Sequence, residues 1–123
     1  MADIEPSETE MQILSLLWAG GPLTARQVLE RMPDGKPRAY TSILSTMQVM
    51  EKKKLLVHKT QGTTHIFRPR VSRAAVLGRV LGKLVKHVFG GDTALAVQSL
   101  LEQKNLSADE LRQIRRLIDE QVE

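Results

Sequence analysis

The stretch KPRAYTSILSTMQVMEKKKLLVHKTQGTTHIFRP, residues 36–69, changes its hydrophobic period half-way along. In the first half Ile43, Leu44, Met47 and Met50 recur at helical spacing and share a face. Thr41, Ser45, Gln48 and Lys52 fall opposite, with Ser42 and Thr46 beside them. This spacing predicts a helix from about Arg38 to Lys53. In the second half, β-branched and aromatic residues sit on either side of Gln61-Gly62, and Pro69 ends the run. That is the pattern of a two-stranded hairpin turning at the glycine. If two short helices precede it, the whole is a winged helix-turn-helix. In that fold the third helix enters the major groove and the hairpin lies along the backbone.

The upstream residues supply those helices. Ser7-Glu8-Thr9-Glu10 has the form of a capping box, and Met11, Leu14, Leu17 and Trp18 follow at helical spacing until Gly20-Gly21-Pro22. Thr24-Ala25-Arg26-Gln27 is a second box. It opens a short helix with Val28, Leu29 and Met32 on one side, closed near Pro33-Asp34-Gly35.

Charge is distributed unevenly around this frame. Residues 1–35 carry two basic and six acidic side chains, residues 36–70 eight and one, and residues 71–123 eight and seven. The middle segment therefore holds +7 of a total of +4, offset by −4 before it and +1 after it. A charge localised in this way steers a polyanion toward one face. Taken alone, a charge run is usually a solvated surface, and its place on a third helix and hairpin is what changes the reading. The expected DNA-contacting set on the helix is Arg38, Tyr40, Thr41, Ser42, Ser45, Thr46, Gln48, Lys52 and Lys53. On the hairpin it is His58, Lys59, Thr63, Thr64 and His65. Hydroxyls and amides read base edges or phosphates, and cations neutralise phosphate.

From Ser72 onward the pattern is helical and strongly apolar. Val76, Leu77, Val80, Leu81, Leu84, Val85 and Val88 make an unbroken stripe. Gly90-Gly91-Asp92 interrupts it, and Asp92 is placed to cap a helix bearing Leu95, Val97, Leu100 and Leu101. Ser107-Ala108-Asp109-Glu110 is a third capping box, before Leu111, Ile114, Leu117 and Ile118. Three short helices this apolar cannot hide their faces on each other, and an identical chain is the simplest partner. The expected dimer seam is Leu77, Val80, Leu81, Leu84, Val85, Val88, Leu100, Leu101, Ile114 and Ile118. Gly78 and Gly82 have the spacing that lets helices approach closely.

Other classes find little support. The chain has no cysteine, so disulfides, thiol nucleophiles and tetrathiolate zinc sites are excluded. His58 and His65, cross-strand neighbours in the expected hairpin, lack a third ligand nearby in sequence. No catalytic triad motif or phosphate-cradling glycine loop is present. Trp18, Tyr40, Phe67 and Phe89 are the whole aromatic set, too few for a single-strand stacking platform. No apolar run is long enough for a membrane span, and the acidic start is unlike a signal peptide. The expectation is a cytoplasmic protein with neither metal nor cofactor.

The residues that carry a family likeness are PSETEMQILSLLWAGGPLTARQV and YTSILSTMQVMEKKKLLVHKTQGTTHIFRP. They resemble the opening, recognition helix and wing of the penicillinase-repressor family of bacterial winged-helix regulators, and the likeness covers essentially the whole chain. It implies a homodimer that holds a promoter shut on a double-stranded operator until a signal releases it. In β-lactam-responsive members the signal leads to cleavage of an Asn–Phe bond in the helical arm by a signal-activated protease. Ser99-Leu100 matches that pair here. Where the family often has arginine this chain has Val49, and where it often has glycine this chain has Lys54. The latter position is expected to take a left-handed backbone. The C-terminal cysteines of copper-responsive relatives are missing.

The expectation is thus a mainly α protein. Residues 1–70 form a winged helix-turn-helix of three helices plus a β-hairpin wing, and 72–123 form a three-helix dimerisation arm. The alternative is a winged-helix interaction module whose basic face meets an acidic protein.

Overall fold

Ser7 begins the first helix as its sequence demands: its hydroxyl accepts the Glu10 N–H, and the Glu10 carboxylate accepts the Ser7 N–H in return. The computed structural model describes residues 6–103 and 105–122. Helix α1 spans Glu8–Gly20, and Gly21 ends it at φ 82°, a conformation that favours glycine. The buried face of α1 is Ile13, Leu14 and Leu17, with Met11 and Trp18 only partly covered. The expected stripe is therefore rotated toward Ile13. Thr24 and Gln27 form the second reciprocal cap, opening α2 at Ala25–Arg31. The third helix, α3, runs Tyr40–Lys52 and buries Ile43, Met47 and Met50. It begins two residues later than expected, because Ala39 takes the extended N-cap conformation and provides no side-chain cap.

The hairpin is present, with its turn displaced. Strands β2 (Leu56–Gln61) and β3 (Thr64–Pro69) pair antiparallel, with Gln61 opposite Thr64, so the loop is Gly62-Thr63. Gly62 holds φ at 65°, as the first central residue of a tight two-residue hairpin loop requires. His58 consequently faces Phe67 across the ladder and His65 faces Thr60. The two histidines are diagonal partners instead of opposite ones, yet their rings stack at 4.1 Å.

A short strand, β1 (Leu23–Thr24), adds to β3 through Leu23–Phe67 and Thr24–Ile66, giving the order β1-β3-β2. At two residues β1 is too short for any periodicity to reveal. It nonetheless fixes the wing to the entry of α2. Phe67 is the centre of the core, fully buried with Ile13, Leu14, Leu17, Val28, Ile43, Met47, Met50 and Leu56. Trp18 Nε1 donates to the Val71 carbonyl at 3.0 Å, tying α1 to the segment after the wing.

Helix α4 (Arg73–His87) follows, with the Ser72 hydroxyl accepting the Ala75 N–H. Contacts divide the chain into a unit ending at Val80 and a unit from Leu81. Val76 is the buried residue of α4. The second unit takes in the end of α4, α5 (Thr93–Glu102), capped by Asp92 through the Leu95 N–H, and α6 (Ala108–Val122). The Ser107–Glu110 box forms at the start of α6. Neither α5 nor α6 buries a single residue among those described.

Candidate nucleic-acid interface

The helical period places Thr41, Ser45, Gln48 and Lys52 along the outward crest of α3, and all four side chains are exposed. Ser42 and the half-buried Thr46 lie on one flank and Tyr40 on the other. The Thr46 hydroxyl donates to the Ser42 carbonyl at 2.9 Å, leaving its lone pairs for an outside donor. Each flank is hollow. Toward α1 a groove of about 420 Å³ is lined by Ser7, Thr9, Arg38, Ser42, Ser45 and Val49. Toward the wing a groove of about 460 Å³ is lined by Arg26, Tyr40, Gln48, Thr63, Thr64 and His65.

Electrostatics divides the expected cations into two kinds. Arg38 grips Asp34 with both guanidinium nitrogens, at 2.7 and 2.6 Å. That guanidinium, helped by the Lys36 N–H, holds the Asp34 carboxyl well below the usual carboxylate range. Lys53 reaches Glu10 at 2.9 and 3.1 Å, and Glu10 is only 5% exposed. His58 Nδ1 lies 2.7 Å from a Glu51 carboxylate oxygen. These three groups are held in pairs inside the fold. Lys52 and Lys59 are exposed and, like Lys36, Lys54, Arg68 and Arg70, have no carboxylate partner among the described residues.

Two residues outside the expected set join this face. Val49 is 43% exposed in the middle of α3. Arg26 on α2 lies over the Tyr40 ring at 4.7 Å from its centroid. Its segment is acid-rich, so the segmental charge count conceals it; its place in the α2 capping box was the available signal.

Residues 6–120 match the family described as penicillinase repressor. The chain belongs to the penicillinase repressor family. It is accordingly a transcription regulator of the repressor class and not an enzyme. The penicillinase repressor of Bacillus licheniformis is 17% identical over 114 residues, 93% of this chain and 89% of that protein. The crystal structure of MepR, a transcription regulator of the Staphylococcus aureus multidrug efflux pump MepA, shares the winged-helix fold. It aligns at a TM-score of 0.50 and 18% identity, over 95% of this chain and 78% of that one.

In the arm of this repressor, Leu77, Leu81, Leu84, Val88, Leu100, Leu101 and Ile118 are exposed, and Val80, Val85 and Ile114 half-buried. Helices α5 and α6 enclose an apolar cleft of about 370 Å³ lined by Val97, Leu100, Leu101, Ile114, Leu117 and Ile118. A Cβ added at Gly78 or Gly82 would meet nothing within 4 Å. Ser99-Leu100 lies inside α5, where the Ser99 hydroxyl donates to the Leu95 carbonyl at 2.9 Å. A protease at that bond would have to wait for local unfolding of the helix. No helix among the described residues is long and apolar enough to cross a membrane.

Proposed function

We propose that this repressor acts as a homodimer that occupies a palindromic promoter operator and is released by a signal that uncouples the dimer from DNA. The observation that carries the reading is the exposed crest of α3, flanked by two polar grooves and a wing. Thr41, Ser45 and Gln48 read base edges, and Val49 offers an apolar contact suited to a thymine methyl group. Ser42, Thr46, Tyr40 and the wing residues Lys59, Thr63, Thr64 and His65 fix the register on the backbone. Lys52 neutralises phosphate. Arg38, Lys53 and His58 take the more limited part of holding α3 and the wing in place, since each already has an acidic partner.

Support for the dimer comes from the arm. Two helices with no buried residue cannot be stable by themselves, and their apolar faces need a cover. A twofold pair presents two recognition helices to half-sites one helical turn, or a multiple, apart.

The test is anisotropy titration of labelled duplex at several salt concentrations. With about six phosphates neutralised, affinity should fall roughly a thousandfold between about 50 and 200 mM salt. A nearly flat response would exclude DNA as the ligand and favour an acidic protein partner.

A further inference from the structure

Arg26 is the one arginine lining the wing-side groove, and no carboxylate among the described residues neutralises it. Arg38 just before α3 and Lys53 just after it are each locked to a carboxylate at 3.1 Å or less, whereas Lys52 in the last turn is not. Arg26 has no carboxylate partner among the described residues and instead lies over the Tyr40 ring, 4.7 Å from its centroid. A guanidinium held over an aromatic ring still has its N–H donors available, and a side chain braced in this way loses less freedom when it binds. Across the same groove stand Thr63 and Thr64 at the wing tip, whose hydroxyls have no partner among the described residues. A planar cation facing two free hydroxyls, in a groove of about 460 Å³ open beside the reading crest, suits a tetrahedral anion carried on an extended backbone.

We infer that Arg26, braced on Tyr40 and faced by Thr63 and Thr64, is the seat for a backbone phosphodiester of the DNA strand running between the recognition helix and the wing. This rests on the DNA-binding reading above. It adds that the phosphate clamp on the wing side is built on α2, and that Arg38 contributes no net charge to binding.

The experiment uses the full chain and a random-sequence duplex of about 30 base pairs, titrated at several salt concentrations. Arg26→Ala should weaken binding about tenfold at about 100 mM salt and lower the slope of log K against log salt by about 0.9. Arg26→Lys should keep the slope but lose part of the affinity, because an ammonium retains the charge without the stacked fork. The double change Asp34→Asn with Arg38→Gln, which removes the pair without altering net charge, should leave the slope as it is. Circular dichroism verifies that each variant is folded. If the wild type binds with a steep salt response and Arg26→Ala changes neither slope nor affinity, the seat is wrong and the DNA reading stands. A greater loss of slope from that double change than from Arg26→Ala would also overturn it. A wild type that fails to bind duplex removes the proposed function and the seat together.

Discussion

Lys54 holds φ at 68°, the single non-glycine residue in the left-handed region among those described. It follows the α3 C-cap residue Lys53, and the Leu55 N–H then returns to the Met50 carbonyl at 2.9 Å. This is the geometry with which helices commonly end on glycine. A side chain in that conformation costs about 1–2 kcal/mol, against an entropic cost of about 0.5–1 kcal/mol for placing glycine there. Lys54→Gly should therefore raise the unfolding free energy by about 0.5 kcal/mol in urea denaturation; a clear loss of stability would show that Lys54 has a compensating contact. Asp34 makes a prediction of a different kind. Arg38 first, and the Lys36 N–H second, depress its folded pKa, so its contribution is present above the unfolded carboxylate value near pH ~4. That contribution is lost as pH falls below this value. Asp34→Asn should lower the melting temperature at neutral pH and flatten its decline between about pH 4 and 2. A wild-type acid limb identical to the variant's would remove the pair from the stability balance.

At the scale of elements, what the sequence revealed depended on how local the determining interaction was. All three capping boxes lie within four residues, and all three form. The hairpin was legible from composition, while its register was not, because Gln61-Gly62 and Gly62-Thr63 are both acceptable glycine-containing loops. Strand β1 exists only because β3 is there to receive it. The Glu10–Lys53 pair joins residues 43 apart, so no spacing in the chain announces it. It gives Lys53 a structural role beside the phosphate contact expected at the end of a basic helix, since the pair ties the end of α3 to the start of α1. Lys53→Met would leave the Glu10 carboxylate buried without its charge partner, at a cost of about 1–3 kcal/mol. If the pairing with Glu10 is the main role of Lys53, the salt slope of DNA binding should hardly change; a slope reduced by about one would show a phosphate contact. The exposed α3 crest, proposed above to read bases, makes the opposite prediction. Alanine at Thr41, Ser45 or Gln48 should leave the melting temperature nearly constant and relax base preference at one or two positions, costing about 1–3 kcal/mol on the preferred site. Selection from random duplexes measures this, and an unchanged motif with all three replaced would assign base reading elsewhere.

For the whole molecule the decisive fact is where apolar surface is left uncovered. The winged-helix unit buries a core around Phe67, whereas Leu100 is 65% exposed and Leu117 55% in an arm whose last two helices bury nothing. Covering one such side chain is worth roughly 1.5–3 kcal/mol, so a handful of them at a twofold seam can supply most of a dimerisation free energy. In the proposed dimer the second recognition helix would bind at the high effective concentration set by the first, multiplying DNA affinity. On this proposal a weakened seam suffices for induction, and an inducing event could act on the arm without touching the α3 crest. Leu100→Glu places a charge on the apolar cleft between α5 and α6. Sedimentation should find monomers at micromolar concentration, and circular dichroism should find the winged-helix unit still folded. Binding to an isolated half-site should be nearly unchanged, while binding to a paired site weakens by a factor far greater than the change on the half-site. If the variant remains dimeric, Leu100 lies outside the seam. If it is monomeric and still holds the paired site as tightly as the wild type, coupling between two readers plays no part in repression, and release must work at α3 or the wing.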